Sequence, residues 1–356
     1  GEKNKKTEFK EAFLSLPEEE IFKYFELLRK TLSGSLGKNL LNLDFPLASE
    51  QEGGTQAALL ALRDSKLKDD ALIEEFYDRV INTYEYVGNY LILLIHDAYD
   101  VPGKTTDGLT MDDASDTVFE YIMCCICPVN LSKPGLSYDN INNEFHNRIR
   151  DWVVEMPETG FLFPSFNDRA TDIHSTLFYS KNPEEAHSEF VENILGCTLP
   201  LSAGTQKEAF QALIEETLGD EVEYEVVKNI HENLTEMIEE HKEIPEPLTL
   251  DKNQVKSLFE KSGVKEEKLT DFDKLYDAAA GEDTALFVIN VANVRTFEVK
   301  TPDVVVKVNP ERADLVNTLH IDGKRCLVIE INDHVEVNGI TIHQSVSLED
   351  VADEEE

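Results

Sequence analysis

The chain has 356 residues, of which 41% are apolar and 29% charged, so it can bury a core and is long enough for more than one folding unit. Its 71 acidic and 33 basic residues give a net charge of −38, which repels phosphate backbones and anionic membrane surfaces. This balance excludes nucleic acid as the expected partner. No apolar run approaches the ~20 residues needed to cross a bilayer, so we expect no membrane partner either.

The first 200 residues are predicted to combine helices with a sheet. Apolar residues at helical spacing indicate two helices over residues 4–32 and two more over 54–87. Five β-rich runs separated by turn signals follow, at residues 90–96, 118–127, 149–156, 161–163 and 173–179. The first run is apolar on both faces, which predicts a central strand. The short gap at residues 157–160 predicts that the third and fourth runs pair with each other as an antiparallel hairpin.

Beyond residue 200 the pattern changes to helices and then to short strands. Helices are predicted over 206–218, 222–241 and, in two short pieces, 252–280, with a proline-containing linker over 243–250. The short β-rich runs that follow contain Asp322-Gly323 and Asn338-Gly339, the dipeptides typical of two-residue hairpin turns. The last residues are acidic and are predicted to be disordered.

These patterns predict an α+β architecture with a largely antiparallel sheet and flanking helices. The length is more than twice the ~150 residues of an average domain, which agrees with a multi-domain organisation. The predicted parts are an α+β domain over 1–200, a helical region over 201–280, a small β-rich domain over 281–345 and an acidic tail over 346–356.

The five cysteines indicate a reducing compartment. Their number is odd, and three of them, Cys124, Cys125 and Cys127, lie in one apolar run, which is not the pattern of a disulfide framework. On a strand, Cys124 points to the face opposite Cys125 and Cys127, so the three thiols do not converge on a metal ion. We therefore expect a cytoplasmic protein with buried, inert thiols, no bound metal and no cofactor.

One group of charged residues is a candidate anion-binding or acid–base site. If residues 157–160 close a hairpin, opposed residue numbers add up to a constant, which places Asp168 across from Ile149. Arg148 and Arg150 are then the neighbours of Asp168. The strand predicted from Ile173 brings the following residues back to the same place. The candidate group consists of Arg148, Arg150, Asp168, Arg169, Asp172 and His174. The functional interpretation is an anion-binding cleft in an otherwise anionic protein. The structural alternative is an ion-pair network, because acidic partners are built into the group.

His96 and Asp97 are a second candidate, because they end an apolar strand, where ligand sites of α/β sheets often lie. The alternative is a capping or packing role. Other motifs are incomplete. The segment 34–39 lacks the first glycine of a phosphate loop, His231-Glu232 lacks the second histidine of a zinc helix, and the acidic loop 107–116 lacks EF-hand spacing.

Four segments carry a resemblance to a known family: NYLILLIHDAYDVPGKTTDG (89–108), CPVNLSKPGLSY (127–138), RIRDWVVEMPETGFLFPSFNDR (148–169) and TPDVVVKVNPERADLV (301–316). Through them the chain resembles, over nearly its whole length, a bacterial family known only as a domain of unknown function. The resemblance implies a cytoplasmic bacterial protein and transfers no catalytic residues. It leaves room for a further amino-terminal segment before Gly1.

Two functions from different classes follow. Because no nucleophile, metal or nucleotide motif is complete, the first is a non-catalytic cytoplasmic interaction or ligand-binding protein, whose partner is an unknown protein or a small anionic ligand. The alternative is a hydrolase-like or transferase-like enzyme that uses the Arg/Asp/His group. The two differ in whether those side chains line one open pocket or close on one another at the surface.

Overall fold

The chain divides into two compact units, Gly1–Glu208 and Ala209–Glu356. The computed structural model describes residues 3–8, 15–101, 103–104, 110–111, 117–167, 170–219, 222–293, 295–331, 335–337 and 340–342. Helices and strands are mixed in both units and the main sheet is antiparallel, so the predicted α+β class is confirmed. The separate helical and β-rich domains predicted after residue 200 stay predictions, and the predicted acidic tail lies outside the described residues.

The described part of the first unit contains three main helices, a six-stranded sheet and three two-stranded pairs. Its helices are α1 (Glu18–Thr31), α2 (Thr55–Asp64), α3 (Asp70–Thr83) and the short α4 (Ser188–Phe190), which continues as a π-helical turn at Val191–Leu195. Its strands are β1 (Leu40–Asp44), β2 (Asn89–Val101), β3 (Gly103–Lys104), β4 (Thr110–Met111), β5 (Thr117–Leu131), β6 (Leu136–Asp139), β7 (Glu144–Asn147), β8 (Trp152–Val154), β9 (Thr159–Phe163), β10 (Ser165–Asn167), β11 (Ala170–Asp172) and β12 (Ser175–Ser180). The two-stranded pairs are β3-β4, β6-β7 and β10-β11.

The sheet is organised around β5. Its strand order is β1-β12-β9-β5-β2, with every pair antiparallel. β2 pairs with one edge of β5 from Asn89 opposite Val129 to Val101 opposite Thr117. The other edge of β5 is shared by β9 and then by β8. The prediction that the run at residues 90–96 is central was wrong, because this run lies in β2 at the end of the strand order.

The two faces of the sheet pack against different helices. Strand alternation places Cys124 on the face covered by α2, α3 and the π-helical turn. Cys125 and Cys127 lie on the other face, in a core cluster with Leu27 and Leu28 of α1. The predicted opposition of Cys124 to the other two thiols is therefore confirmed. Apolar side chains of β2 also join both clusters, which explains why its sequence is apolar on both faces although it is not central.

The remaining elements from residue 203 onward are helices and two-stranded pairs. The helices are α5 (Ala203–Leu218), α6 (Tyr224–Glu240), α7 (Lys252–Lys261), α8 (Phe272–Ala279) and α9 (Val288–Val291), with 3-10 turns at Glu266–Leu269 and Pro310–Leu315. The strands are β13 (Thr249–Leu250), β14 (Leu286–Phe287), β15 (Phe297–Lys300), β16 (Val305–Val308), β17 (Val316–Ile321), β18 (Lys324–Ile329), β19 (Val335–Val337) and β20 (Ile340–Ile342). Among the residues described, no helix is both long and apolar enough to cross a membrane.

Several local predictions can be compared with these elements. The helices predicted over 54–87, 206–218 and 222–241 are present as α2, α3, α5 and α6. Asp322 and Gly323 have φ of 51° and 74° and join β17 to β18, as a two-residue hairpin turn requires. Asn338 and Gly339 lie outside the described residues, between the paired strands β19 and β20. The first of the short β-rich runs, residues 286–291, predicts a strand. This was wrong beyond Phe287, because α9 begins at Val288. Strand β1 was not predicted.

Helix α1 approaches the sheet closely at Gly160 of β9. A Cβ at this position would lie 2.4 Å from the carbonyl oxygen of Cys124 and 2.6 Å from Cγ2 of Thr31 in α1. The first contact is with backbone, which cannot rotate away as a side chain can. Only glycine therefore allows β9 to pair with β5 while α1 packs against the same point.

We expect Gly160→Ala to lower the free energy of unfolding by about 2 kcal/mol, the typical cost of overpacking a core. The control is Gly135→Ala, because a Cβ there meets nothing within 4 Å. This control should change stability by less than about 0.5 kcal/mol. Urea unfolding of both variants measures the difference. Equal stability of the two would contradict the close approach of Cys124 and Thr31 to Gly160.

Candidate functional site

A long two-stranded β-arm, residues 129–154, extends the β5 strand beyond the sheet. At its base β5 pairs with β8, from Val129 opposite Val154 to Leu131 opposite Trp152. Further out, β6 pairs with β7 up to Asp139 opposite Glu144. In both ladders the paired residue numbers add up to the same constant, so they form one ribbon in one register. Backbone bonds from Ser132 N–H to the Asp151 carbonyl (2.8 Å) and from Arg148 N–H to the Gly135 carbonyl (2.9 Å) join them.

The β-arm exposes large apolar side chains. On one face of the outer hairpin, Leu136 is 76% exposed and Phe145 is 74% exposed, and the ring of Phe145 lies 5.1 Å from that of Tyr138. Ile141 at the tip is 87% exposed. Trp152, the only tryptophan in the chain, is 60% exposed at the base. Contiguous exposed apolar surface of this kind marks sites of protein interaction.

The β-arm is also electrically different from the rest of the chain. It contains three basic residues, Lys133, Arg148 and Arg150, and three acidic residues, Asp139, Glu144 and Asp151, so its net charge is zero. The whole excess of negative charge, −38, is therefore carried by the remainder of the chain. The arm is a neutral, apolar surface on an anionic protein.

Arg148 and Arg150, the two arginines of the predicted site, both lie in this arm and are exposed. The Arg150 guanidinium donates hydrogen bonds from Nε to the Ser132 carbonyl (2.5 Å) and from Nη2 to the Leu131 carbonyl (3.3 Å). Arg150 thus stabilises the junction between the two ladders through hydrogen bonds to the opposite strand. Among the residues that the structure describes, no acidic side chain pairs with either guanidinium.

Asp172 and His174 lie elsewhere, at the turn between β11 and β12. The Asp172 carboxylate accepts hydrogen bonds from Ser175 Oγ (2.7 Å), Asn167 Nδ2 (2.9 Å) and the His174 N–H (3.0 Å). Burial alone would raise the pKa of Asp172, but these three bonds outweigh it and hold the pKa below its ordinary value. Because Ser175 is fully buried, this carboxylate satisfies polar groups inside the protein.

The exposed imidazole of His174 bonds through Nδ1 to Glu50 Oε1 at 2.6 Å, ahead of α2. The hydrogen bond and the charge of Glu50 raise the pKa of His174 above its ordinary value. The described members of the predicted group are therefore engaged separately: the arginines in the β-arm, Asp172 in a partly buried polar network and His174 with Glu50.

The hairpin that was to bring the group together is not formed. The third and fourth β-rich runs, now β8 and β9, do not pair with each other, because both pair with the same edge of β5. The register that placed Asp168 across from Ile149 was therefore wrong. Asp168 and Arg169 lie outside the described residues, so their membership of a common site stays a prediction.

His96 and Asp97 point to opposite faces of β2. His96 Nε2 lies 2.8 Å from Glu120 Oε1, and Lys66 Nζ lies 3.4 Å from the same oxygen. These contacts, with His96 first, lower the pKa of Glu120. On the other face, Tyr121 donates a hydrogen bond to Asp97 at 3.3 Å. The prediction that these two residues end the strand was wrong, because β2 continues to Val101. Each makes its own contact, and the structure does not bring them together in one site. Sequence reasoning missed Glu120 and Lys66, since the register of β2 on β5 is what brings them to His96.

Neither of two cavities within the units is lined by a predicted site residue. The first, about 380 Å³ in the first unit, lies between the loop around Glu184 and the start of α5. Glu184 is already engaged there, since it accepts hydrogen bonds from Ser202 and the Gly204 N–H. The second, about 420 Å³ in the second unit, is lined mainly by glutamates of α6 and by Arg312.

Four of the five cysteine thiols are buried. Within the described ranges, no three His, Cys, Asp or Glu side chains are placed to share a metal ion. Burial raises the pKa of Cys124, and it raises that of Cys197 to about 12, which keeps both thiols protonated at neutral pH.

The β-arm was not recognised from the sequence, although a signal for it is present. The segment from Leu136 to Asn147 alternates apolar and polar residues on either side of an Asn-rich centre that contains Asn143 at φ 54°. Such a pattern is typical of a hairpin with a longer loop. We instead assigned the turn to residues 157–160, which connect two strands on the same edge of β5.

Comparison with known proteins gives one result. A family model described as Domain of unknown function (DUF4317) matches residues 1–340, which confirms the resemblance seen in the sequence. No curated protein and no solved structure matches the chain. The comparisons therefore supply a family and no catalytic residues.

We expect Asp172→Asn to lower the free energy of unfolding by about 1–2 kcal/mol at neutral pH, because the amide cannot accept all three hydrogen bonds. The folded-state pKa of Asp172 is lowered, so its contribution is present above the ordinary carboxyl range and is lost as the pH falls through the folded value. The difference in the free energy of unfolding between wild type and variant should therefore become smaller at acidic pH. Exposed Asp151→Asn is the control. A gap that stays constant with pH would contradict this role.

Proposed function

The chain belongs to the family described as Domain of unknown function (DUF4317), and from this premise we propose that it is a non-catalytic cytoplasmic protein that binds a protein partner through the β-arm. The observation that supports this most is the row of exposed apolar side chains on the arm. Exposed surface of this size is rare on proteins that do not use it for binding.

The residue types of the β-arm support a protein partner. Trp, Tyr and Arg carry most of the binding energy in protein interfaces, and the arm presents Trp152, Tyr138, Arg148 and the Arg150 stem together with Phe145. Aromatic side chains supply a large contact area and lose little conformational entropy when they bind.

A small anionic ligand has less support than a protein. Small molecules bind in concave sites that bury most of their surface. Arg148 and Arg150 lie instead on a projecting arm, and neither cavity contains them. The enzyme alternative depends on an Arg/Asp/His group whose described members make separate local contacts. A cytoplasmic location is supported by the five free cysteines, four of them buried.

The proposal is tested by photo-crosslinking in the native host. A photoreactive phenylalanine analogue at position 145 should crosslink the chain to a defined protein. The matched control is the same analogue at position 47, because Leu47 is 81% exposed and lies beyond Asp44, at the end of the sheet opposite the arm. The crosslinked protein, once identified and purified, should bind Phe145→Glu at least about tenfold more weakly than wild type, as expected for a central interface residue.

Two results would overturn the proposal. One is the absence of any protein crosslink from position 145. The other is the same set of crosslinked proteins from positions 145 and 47, which would mean that the arm has no binding preference of its own.

A further inference from the structure

We infer that the partner that fits the β-arm is a second copy of this chain, so that two arms pack against each other around a twofold axis. This inference rests on the proposed function, since it names the occupant of the same surface. It is carried by three features of the arm: its neutral charge, the area it exposes and its length.

The charge of the β-arm favours a partner that is itself acidic. A basic partner would be attracted to the remainder of the chain, which carries the entire charge of −38, rather than to the neutral arm. An acidic partner is repelled everywhere except at the arm. A second copy is such a partner, and contact between arms places two neutral surfaces together.

The exposed area of one face matches a small protein interface. Nine apolar side chains of the β-arm are between 37% and 87% exposed. By the register of the arm, five of them share one face: Leu136, Tyr138, Phe145, Ile149 and Val153. With about 150–250 Å² for a fully buried aromatic side chain and less for an aliphatic one, this face presents roughly 600 Å². The smallest standard interfaces bury about 600 Å² on each partner.

The length of the β-arm keeps the acidic surfaces of two sheets apart. The strand from Leu131 to Asp139 covers eight steps of about 3.3 Å, so the tip lies roughly 25 Å beyond the end of the sheet. The Debye length at physiological ionic strength is about 8 Å. Charges that are separated by the length of the arm are therefore largely screened from each other.

The geometry of the β-arm also suits a twofold contact. One face of the outer hairpin carries Leu136, Tyr138 and Phe145, and the same face of a second copy is its complement in an isologous interface. Within the described part of the chain, β8 pairs with β5 alone, so its other edge is open at the base of the arm. Trp152 lies at this edge.

Sedimentation velocity of the full chain over the micromolar range tests the inference. Wild type should sediment as a dimer that dissociates on dilution. Phe145→Glu should weaken the dimer at least about tenfold, whereas Leu47→Glu, at the opposite end of the sheet, should leave it unchanged. If circular dichroism shows that Phe145→Glu is misfolded, Leu136→Glu on the same hairpin face replaces it.

The salt dependence of the dimer affinity distinguishes association through neutral surfaces from association through opposite charges. Raising the ionic strength from about 0.01 M to about 1 M shortens the Debye length from about 30 Å to about 3 Å. Repulsion between two chains of charge −38 is thereby screened, so the dimer should become tighter. An interface held by attraction between opposite charges would become weaker.

A wild-type chain that stays monomeric at high salt would overturn the inference, and so would a dimer unaffected by both arm variants. The outcome for the proposed function is decided separately, by the crosslink from position 145. A crosslink to a different protein keeps the arm as a binding surface and removes only the second copy as its occupant. The absence of any crosslink removes both.

Discussion

The pairing of β5 on both edges is the constraint on which the first unit depends. Thirteen residues of β2 occupy one edge, from Asn89 opposite Val129 to Val101 opposite Thr117, while β9 and then β8 share the other. This double pairing fixes the register, and the register fixes which face each side chain joins. It places Cys124 under α2 and α3, Cys125 under α1, and Glu120 beside His96. The end of β5 that passes beyond β9 is also the base of the β-arm.

Much of the fold could be predicted from the sequence, because its signals are local. Helical spacing identified α2, α3, α5 and α6, alternation placed the three cysteines of β5, and Asp322-Gly323 identified a hairpin turn. The strand pairing could not be predicted in the same way. The short gap at residues 157–160 favours a hairpin locally, yet β8 and β9 gain more by lining one edge of a strand that lies 20 to 40 residues earlier in the chain. The pairing of these strands depends on residues that are distant in the sequence, and a local sequence pattern contains no information about them.

In the candidate site, too, individual residues could be recognised from the sequence but their spatial grouping could not. Arg148 and Arg150 were predicted to belong to an anion-binding group, and they lie in the β-arm among exposed apolar side chains. Their grouping with Asp168 depended on the hairpin register, which proved wrong. Asp172 was recognised too, but its carboxylate accepts bonds from Ser175 and Asn167, so its contacts are those of a structural residue. The neutrality of the β-arm is present in the sequence and becomes visible only when its boundaries, residues 129–154, are known.

The fluorescence of Trp152 is the most direct measure of the account, because the only tryptophan of the chain lies at the base of the β-arm. Acrylamide quenching of the full chain at increasing concentration reports how accessible its indole is. The account predicts red-shifted, readily quenched emission at high dilution, followed by a blue shift and protection as the arms associate. Leu47→Glu should follow the same curve and Phe145→Glu should stay quenchable. Emission that is equally shielded in wild type and in Phe145→Glu at every concentration would place Trp152 against another part of its own chain and would contradict the account.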